Sequence, residues 1–391
     1  MRFFLKWAIV NIEHCELGEE TLEDYRGTAR NIGDVYRHIY RNETSSRQMV
    51  AADLGISLPT VTQNLNYLRE CGLIFNAGEF ESTGGRKANM LSIVPEARLA
   101  VGMDVTQTHV SVVLTDLKLS ILDSVKTHVL FRDADDYYEM LANHVRMILE
   151  KNEVDPEKFL GVGISLPAIV NEQENTISYS KVIDIPDDFY VQMQKKLPYP
   201  VRLFNDANAA GWTELQARGK QQPMVYLSLS NSVGGAVLMN RVYTGRNWRG
   251  GEFGHMTIVP NGKECYCGRR GCLNAYCSAR ALSDYTDGDI RQFFYEMKAT
   301  GNRGYRRAFE DYMQYLALAV NNLRMCFDCD VVLGGMVGAC MEEYVEEFKK
   351  IVKKLTPFEN SAEYVKICSF RTEPSAVGAA LYFVDDFVRQ M

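Results

Sequence analysis

No stretch of the chain approaches the roughly 20 consecutive apolar residues of a membrane span, so no membrane partner is expected. A secretory leader is not expected either: Met1–Val10 is apolar, but Lys6 and Asn11 interrupt the run and no small-residue cleavage site follows. A large excess of one charge is also missing. The 43 Lys and Arg face 50 Asp and Glu, a net charge of −7, which excludes a polycation that coats nucleic acid indiscriminately. A disulfide framework is absent despite 10 cysteines, because Cys265, Cys267 and Cys272 cluster while the others scatter through apolar stretches. Free cysteine is a small buried hydrophobe in most settings, so a reducing, cytoplasmic environment with one metal site is expected.

What is present reads as ordinary globular composition, 46% hydrophobic and 24% charged, over 391 residues that call for two or three domains. The charge is uneven. Residues 28–95 hold seven Lys and Arg against six Asp and Glu, so the rest of the chain carries the acidity. A local basic surface on an acidic protein suits a sequence-selective DNA reader.

Residues 1–27 are an acidic extension without a legible role. Ile32, Val35, Ile39 and Tyr40 then mark one face of a helix. Ser45 and Gln48 predict a capping box for a second helix, which Gly55 ends in a left-handed turn. Ser57 caps a third helix reaching about Cys71, at helix-turn-helix spacing. Val61, Leu65 and Leu68 face inward on it. Pro59, Thr60, Gln63 and Asn66 lie opposite with Tyr67 at the flank, placed to enter a major groove, Gln63 reading an adenine edge. Alone, this pattern also fits a helix pair whose polar face meets water. Gly72–Gly78 and Met90–Val94 read as two strands around the tip Glu79–Lys87, a wing. Gly84-Gly85 would let Arg86 and Lys87 approach phosphates or a narrow minor groove.

The remainder predicts an α/β fold in two similar halves. Strand meanders at Leu99–Val129 and Met224–Thr244 are each followed by helices and a further strand, the pattern of a duplication with a cleft between lobes. Asn205-Asp206 stands at the carboxyl end of a short strand, where α/β sheets bind ligands and where a carboxylate can act as general base; the pair could equally cap the next helix. Gly251-Glu-Phe-Gly-His255 followed by Cys265-Tyr-Cys267-Gly-Arg-Arg-Gly-Cys272 gives one His and three Cys with the donors of a closed tetrahedral zinc site. Cys277 reads as a core thiol. Cys326-Phe-Asp-Cys329 reads as core rather than redox-active. Gly334-Gly335 and Ala376–Ala380 would leave room for a nucleotide base or for close helix packing.

Together these motifs resemble the ROK family of repressors and sugar kinases, over about residues 28–391. The resemblance implies an N-terminal winged helix-turn-helix over 28–95 and a duplicated, ribonuclease H-like, actin/hexokinase-type fold over 96–391. Its first lobe would span about 96–205 with the helix at 375–391, and its second about 206–374 with the zinc loop 251–274. By the same resemblance Asn205, Asp206, Glu252, His255 and Asn274 are sugar ligands, and His255, Cys265, Cys267 and Cys272 hold structural zinc. Asp206 stands in the kinase-base position, and Asn274 replaces the Glu usual in the family.

The phosphate loops depart from the kinase pattern. Where family kinases read Asp-x-Gly-Gly-Thr this chain reads Asp104-Val-Thr-Gln-Thr108, and where they read Gly-Thr-Gly-x-Gly it reads Ser230-Asn-Ser-Val-Gly234. Backbone amides need those glycines to cradle phosphates, so neither ATP with magnesium nor catalysis is expected, and Asp206 would be vestigial. The expected function is a sugar-responsive repressor, a homodimer or higher oligomer on operator DNA with a sugar or sugar-phosphate effector. The alternative is an active ATP-dependent sugar kinase.

Overall fold

A computed structural model describes residues 22–80, 88–219 and 222–391. The chain opens with three helices, α1 (Leu22–Arg41), α2 (Arg47–Leu54) and α3 (Leu58–Glu70), and the antiparallel hairpin β1 (Ile74–Glu79) and β2 (Asn89–Ile93). Ser57 caps α3 by accepting from Thr60 N–H at 3.3 Å, and Gly55 ends α2 at φ 66°. One expectation shifts by a residue: Ser46, not Ser45, caps α2, accepting from Met49 N–H. The cause is tertiary. Ser45 forms two backbone hydrogen bonds with Leu91 of β2, and its hydroxyl meets His38 Nε2 at 3.1 Å, so it is held extended outside the helix. The expected capping box with Gln48 is therefore absent.

A short turn, Pro95–Ala97, runs from β2 into the first large sheet. That sheet comprises β3 (Leu99–Val105), β4 (His109–Thr115), β5 (Ile121–His128), then α4 (Asp135–Lys151), β6 (Phe159–Leu166), the hairpin β7 (Ile169–Asn171) and β8 (Thr176–Tyr179), α5 (Phe189–Lys196) and β9 (Val201–Asn205), in the order β5-β4-β3-β6-β9. Helix α6 (Asp206–Ala217) crosses to the second sheet, which holds β10 (Met224–Leu229), β11 (Val233–Met239) and β12 (Arg241–Val242). After a long loop come α7 (Asn274–Cys277), α8 (Arg280–Ser283), α9 (Ile290–Thr300), α10 (Arg303–Phe327), β13 (Asp330–Gly334), α11 (Gly335–Cys340), α12 (Val345–Lys353) and β14 (Val365–Ile367). This sheet runs β12-β11-β10-β13-β14. Each sheet thus has a three-strand antiparallel meander followed by two parallel strands, in the same order. The duplication expected from the two meanders is this repeated topology.

The last helix, α13 (Pro374–Gln390), returns to the first sheet and crosses α6 between the lobes. Side chains are removed where backbones must touch. A Cβ on Gly378 would lie 1.9 Å from the Ala209 carbonyl oxygen, and one on Gly102 would lie 1.8 Å from that of Ala376. The packing room foreseen at Ala376–Ala380 is thus taken up by helix-on-helix and helix-on-strand contact. Glu214 of α6 adds a polar clamp. Its carboxylate accepts from the Ser369 and Phe370 amides and from Arg218, fixing the segment that leads into α13.

The far end of α13 reaches the N-terminal helices. Val35, Tyr36, Ile39, Leu65 and Leu68 share one buried core with Ala100 and Val113 of the first sheet and with Leu381, Val384 and Val388 of α13. Tyr36 meets Phe387 edge to face at 6.1 Å, and Arg98 lies 5.2 Å over the same Phe387 ring. No helix of the described residues is long and apolar enough to cross a membrane.

Replacing Gly378 with Leu forces a branched side chain into backbone contact. We expect a loss of roughly 1–3 kcal/mol or more of unfolding free energy, by the usual cost of overpacking. An unchanged denaturation midpoint would show that α6 and α13 separate without penalty.

Candidate ligand cleft and metal cluster

The carboxyl ends of the strands in both sheets converge on one cleft, open to solvent, in the place where open α/β sheets bind ligands. Asn205, Asp206 and Ala207 line it from the β9–α6 junction, Ser228 and Ser232–Gly235 from the second sheet, and Glu252, His255 and Tyr266 from the long loop. Asn205 does both things foreseen for it. Its Oδ1 caps α6 by accepting from Asn208 N–H at 2.9 Å, its Nδ2 donates to Ala168 O at 3.0 Å, and it still lines the cleft.

Capping by Asn205 leaves Asp206 at the first position of α6, where one oxygen accepts from Ala207 N–H at 2.8 Å. Burial pushes its carboxyl from 3.8 up to about 7, opposed by that amide and reinforced by the charge of Glu252. Burial raises Glu252 as well, with Arg249 pulling the other way. Asp104, at the end of β3, is pushed up to about 7 by burial although the Ser165 hydroxyl donates to it at 2.5 Å; Asp206 and Glu373 add to the push. For all three carboxyls burial is the dominant cause, outweighing Arg249 beside Glu252 and Lys126 near Asp104, and Asp206 and Glu252, which line the cleft, are placed to exchange hydrogen bonds with a ligand's hydroxyls.

Asn274 is not among the residues lining the cleft. Its side chain is buried and its Oδ1 accepts from Val233 N–H at 2.7 Å, so its amide shapes the turn before β11. A direct ligand contact from this position would require giving up that bond.

His255, Cys265, Cys267 and Cys272 converge, their donor atoms all within 4.8 Å of one another. Cys267 Sγ and Cys272 Sγ are 3.8 Å apart, and Cys265 Sγ lies 3.9 Å from His255 Nδ1. Zn–S bonds of ~2.3 Å in a tetrahedron separate sulfurs by ~3.8 Å, so the donor set fits zinc. The other imidazole nitrogen, Nε2, meets the Tyr266 hydroxyl at 3.2 Å on the cleft side. Cys277 lies apart in the core, as expected, with its sulfur against Tyr312 O. The Cys-x-x-Cys pair is split: Cys329 is buried, but Cys326 is exposed at the end of α10, correcting the reading of both as core.

Side chains and hydrogen bonds occupy the loops where kinases bind phosphates. Thr106 closes the β3–β4 hairpin by bonding His109 in both directions. Gln107 receives a hydrogen bond from Arg280 of α8 in the other lobe, at 3.3 Å. In the second loop Ser230 Oγ accepts from Met336 N–H at 3.4 Å and Ser230 O accepts from Ala279 N–H at 2.7 Å. A Cβ on Gly335 would meet Ser230 Oγ at 2.7 Å, so that glycine's space is already filled.

On α3, Pro59, Gln63 and Asn66 are exposed and Thr60 and Tyr67 half-buried, opposite buried Val61, Leu65 and Leu68. Asn66 accepts from Arg69 at 3.1 Å. Arg86 and Lys87 lie outside the described residues. Sequence reasoning missed Tyr266 and Tyr179 as cleft residues. The signal for Tyr266 was its place between two cysteines of the cluster; Tyr179 carried none.

Two outcomes follow. Folded Asp206 holds a proton that the unfolded chain releases, so stability falls as pH rises from about 4 to about 7. Asp206→Asn should therefore be more stable than wild type at about pH 8 and lose that advantage by about pH 4; a constant difference across denaturation curves would contradict the burial argument. Stripping metal with a chelator should lower the unfolding temperature, and Cys272→Ser should abolish both the effect and a stoichiometry of one zinc per chain.

Residues 100–386 match the ROK family. The chain is 26% identical over 354 residues to the xylose repressor of Bacillus spizizenii, covering 88% of this chain and 90% of that one. It is 25% identical over 248 residues to the N-acetylmannosamine kinase of Vibrio cholerae, covering 61% and 86%. A crystal structure of a ROK family transcriptional regulator, a homologue of the E. coli MLC protein, superposes with a TM-score of 0.72 at 20% identity over 92% of this chain and 97% of that one. The family match spans well over half the sequence, and the duplicated sheets, central cleft and Cys/His loop stand inside it: the chain belongs to the ROK family.

Proposed function

We propose that the protein is a sugar-responsive transcriptional repressor that binds operator DNA through residues 28–95 and a sugar between the lobes of 96–391. The carrying observation is a mismatch within one fold. The cleft keeps Asp206, Glu252 and His255 converging, whereas Gln107 and Ser230 take up the space around the phosphate loops. Support from relatives includes the xylose repressor, aligned along nearly its whole length.

In this reading Asp206 and Glu252 accept hydrogen bonds from sugar hydroxyls, and Asn205 offers what its capping bond leaves free. His255, Cys265, Cys267 and Cys272 hold zinc, which would fix the loop and leave the second His255 nitrogen for the ligand. Asn274 supports the site by holding Val233. Pro59, Thr60, Gln63, Asn66 and Tyr67 face the major groove, with Arg86 and Lys87 on the wing. A sugar that touches the β9–α6 junction and the long loop together favours one lobe arrangement, and that preference bounds the response. The DNA reader shares a core with α13 and the first sheet, so it travels with the first lobe. In a homodimer, rotation of the second lobe then changes the spacing of the two readers on DNA.

A kinase reading has its own support in the retained Asp206 and the N-acetylmannosamine kinase relative. Phosphoryl transfer, however, rests on positioning and neutralising phosphates, and the amide cradle for them is crowded here. The test is Glu252→Ala: operator affinity should stay within about twofold while sugar-induced release is lost, and no sugar-dependent ADP release should accompany the wild-type response. Normal release in Glu252→Ala would overturn the assigned cleft. ADP turnover that vanishes in Asp206→Asn would establish the kinase instead.

A further inference from the structure

The acids of the cleft account for a ligand's hydroxyl edges but not for its apolar faces. A sugar ring presents hydroxyls around its rim and C–H groups above and below, and the C–H faces are covered best by aromatic rings that carry a polar tip. Two tyrosines line the cleft, and they come from opposite lobes. Tyr179 ends β8 in the first lobe and is 39% exposed; Tyr266 stands in the Cys/His loop of the second and is 45% exposed. Large rings left open inside a cleft are surfaces that a ligand would cover.

Each ring is held by its scaffold. Tyr179 pairs with Ile169 across the β7–β8 hairpin, and Ile169 also lines the cleft. Tyr266 projects from a knuckle closed by Cys265 N–H to Arg269 O at 2.8 Å and Gly268 N–H to Cys265 O at 2.9 Å. Its ring stands 5.3 Å from that of His255 at 69°, and its hydroxyl meets His255 Nε2. Both tyrosines line the same cleft together with Glu252.

We propose that Tyr179 and Tyr266 form a two-sided stacking clamp that closes from opposite lobes onto the C–H faces of a bound carbohydrate ring, making them the specificity-determining residues of the cleft. The proposal rests on the sugar-sensor reading. It adds that affinity depends on lobe closure as well as on the acids, because each lobe supplies one ring. Sugars whose C–H groups line one face are favoured over those with axial hydroxyls there. The Tyr266 hydroxyl would hold His255 until a sugar hydroxyl replaces it.

The test is calorimetric titration of the full-length protein with D-xylose, D-glucose, N-acetyl-D-glucosamine and their phosphates, the tightest binder then being taken to variants. Tyr179→Ala and Tyr266→Ala should each weaken it roughly tenfold, and Tyr179→Phe and Tyr266→Phe by less than about threefold, since the Phe variants keep the ring. Zinc content is measured in parallel; if Tyr266→Ala loses metal, the Tyr179 pair decides alone. Wild-type affinity in the Ala variants, alongside loss in Glu252→Ala, overturns the clamp and leaves the sugar site standing. No binding of any sugar to wild type overturns both.

Discussion

The contact between α6 and α13 is the constraint on which the rest of the molecule depends. At Gly378 and Ala209 the two helices meet backbone to backbone. Helix α6 starts at Asp206 in the cleft and lies on the second sheet, and α13 lies on the first sheet and ends in the core it shares with the N-terminal helices, the proposed DNA reader. Backbone contact without intervening side chains leaves little room for a soft, graded response, because close-packed interfaces shift between arrangements rather than deform. Glu214 of α6 adds charge-assisted bonds to the Ser369 and Phe370 amides, in the segment that leads into α13. A change at the first turn of α6 thus bears directly on its seam with α13, the contact about which the second lobe would turn.

The cleft is defined by what has been exchanged at its mouth. Asp104 and Asp206 are held near neutrality by burial, at about 7 each. Carboxyls that keep or share a proton in this way suit hydroxyl ligands, to which they can donate as well as accept. Around them, glycines that would admit phosphates are replaced by side chains that bond within the protein, Gln107 to the opposite lobe and Ser230 to the start of α11. Of these, Gln107 also connects the two lobes, through Arg280.

Features decided within a few residues were legible in the sequence. Gly55 and Ser57 gave the end of α2 and the cap of α3, the strand meanders gave the antiparallel part of both sheets, and the spacing of Cys265, Cys267 and Cys272 gave the cluster. Features decided by distant chain were not. Ser45 lost its capping role to β2, Asn274 turned towards Val233, and Tyr179 reached the cleft only because the β7–β8 hairpin folds over it. Gly378 of α13 was visible, but whether it made room for a base or for a helix depended on Ala209, 169 positions away.

The central claim is that the reader and first lobe form one body against which the second lobe turns when sugar binds. Distances between site-specific labels on Arg69, Met147 and Tyr295, all exposed and lying on α3, α4 and α9, measured by pulsed electron resonance with and without sugar, test it most directly. The account requires the 69–147 distance to stay constant while the 147–295 distance shortens, with no ATP present. A reader that moves relative to Met147 while the two lobes keep their separation would contradict it.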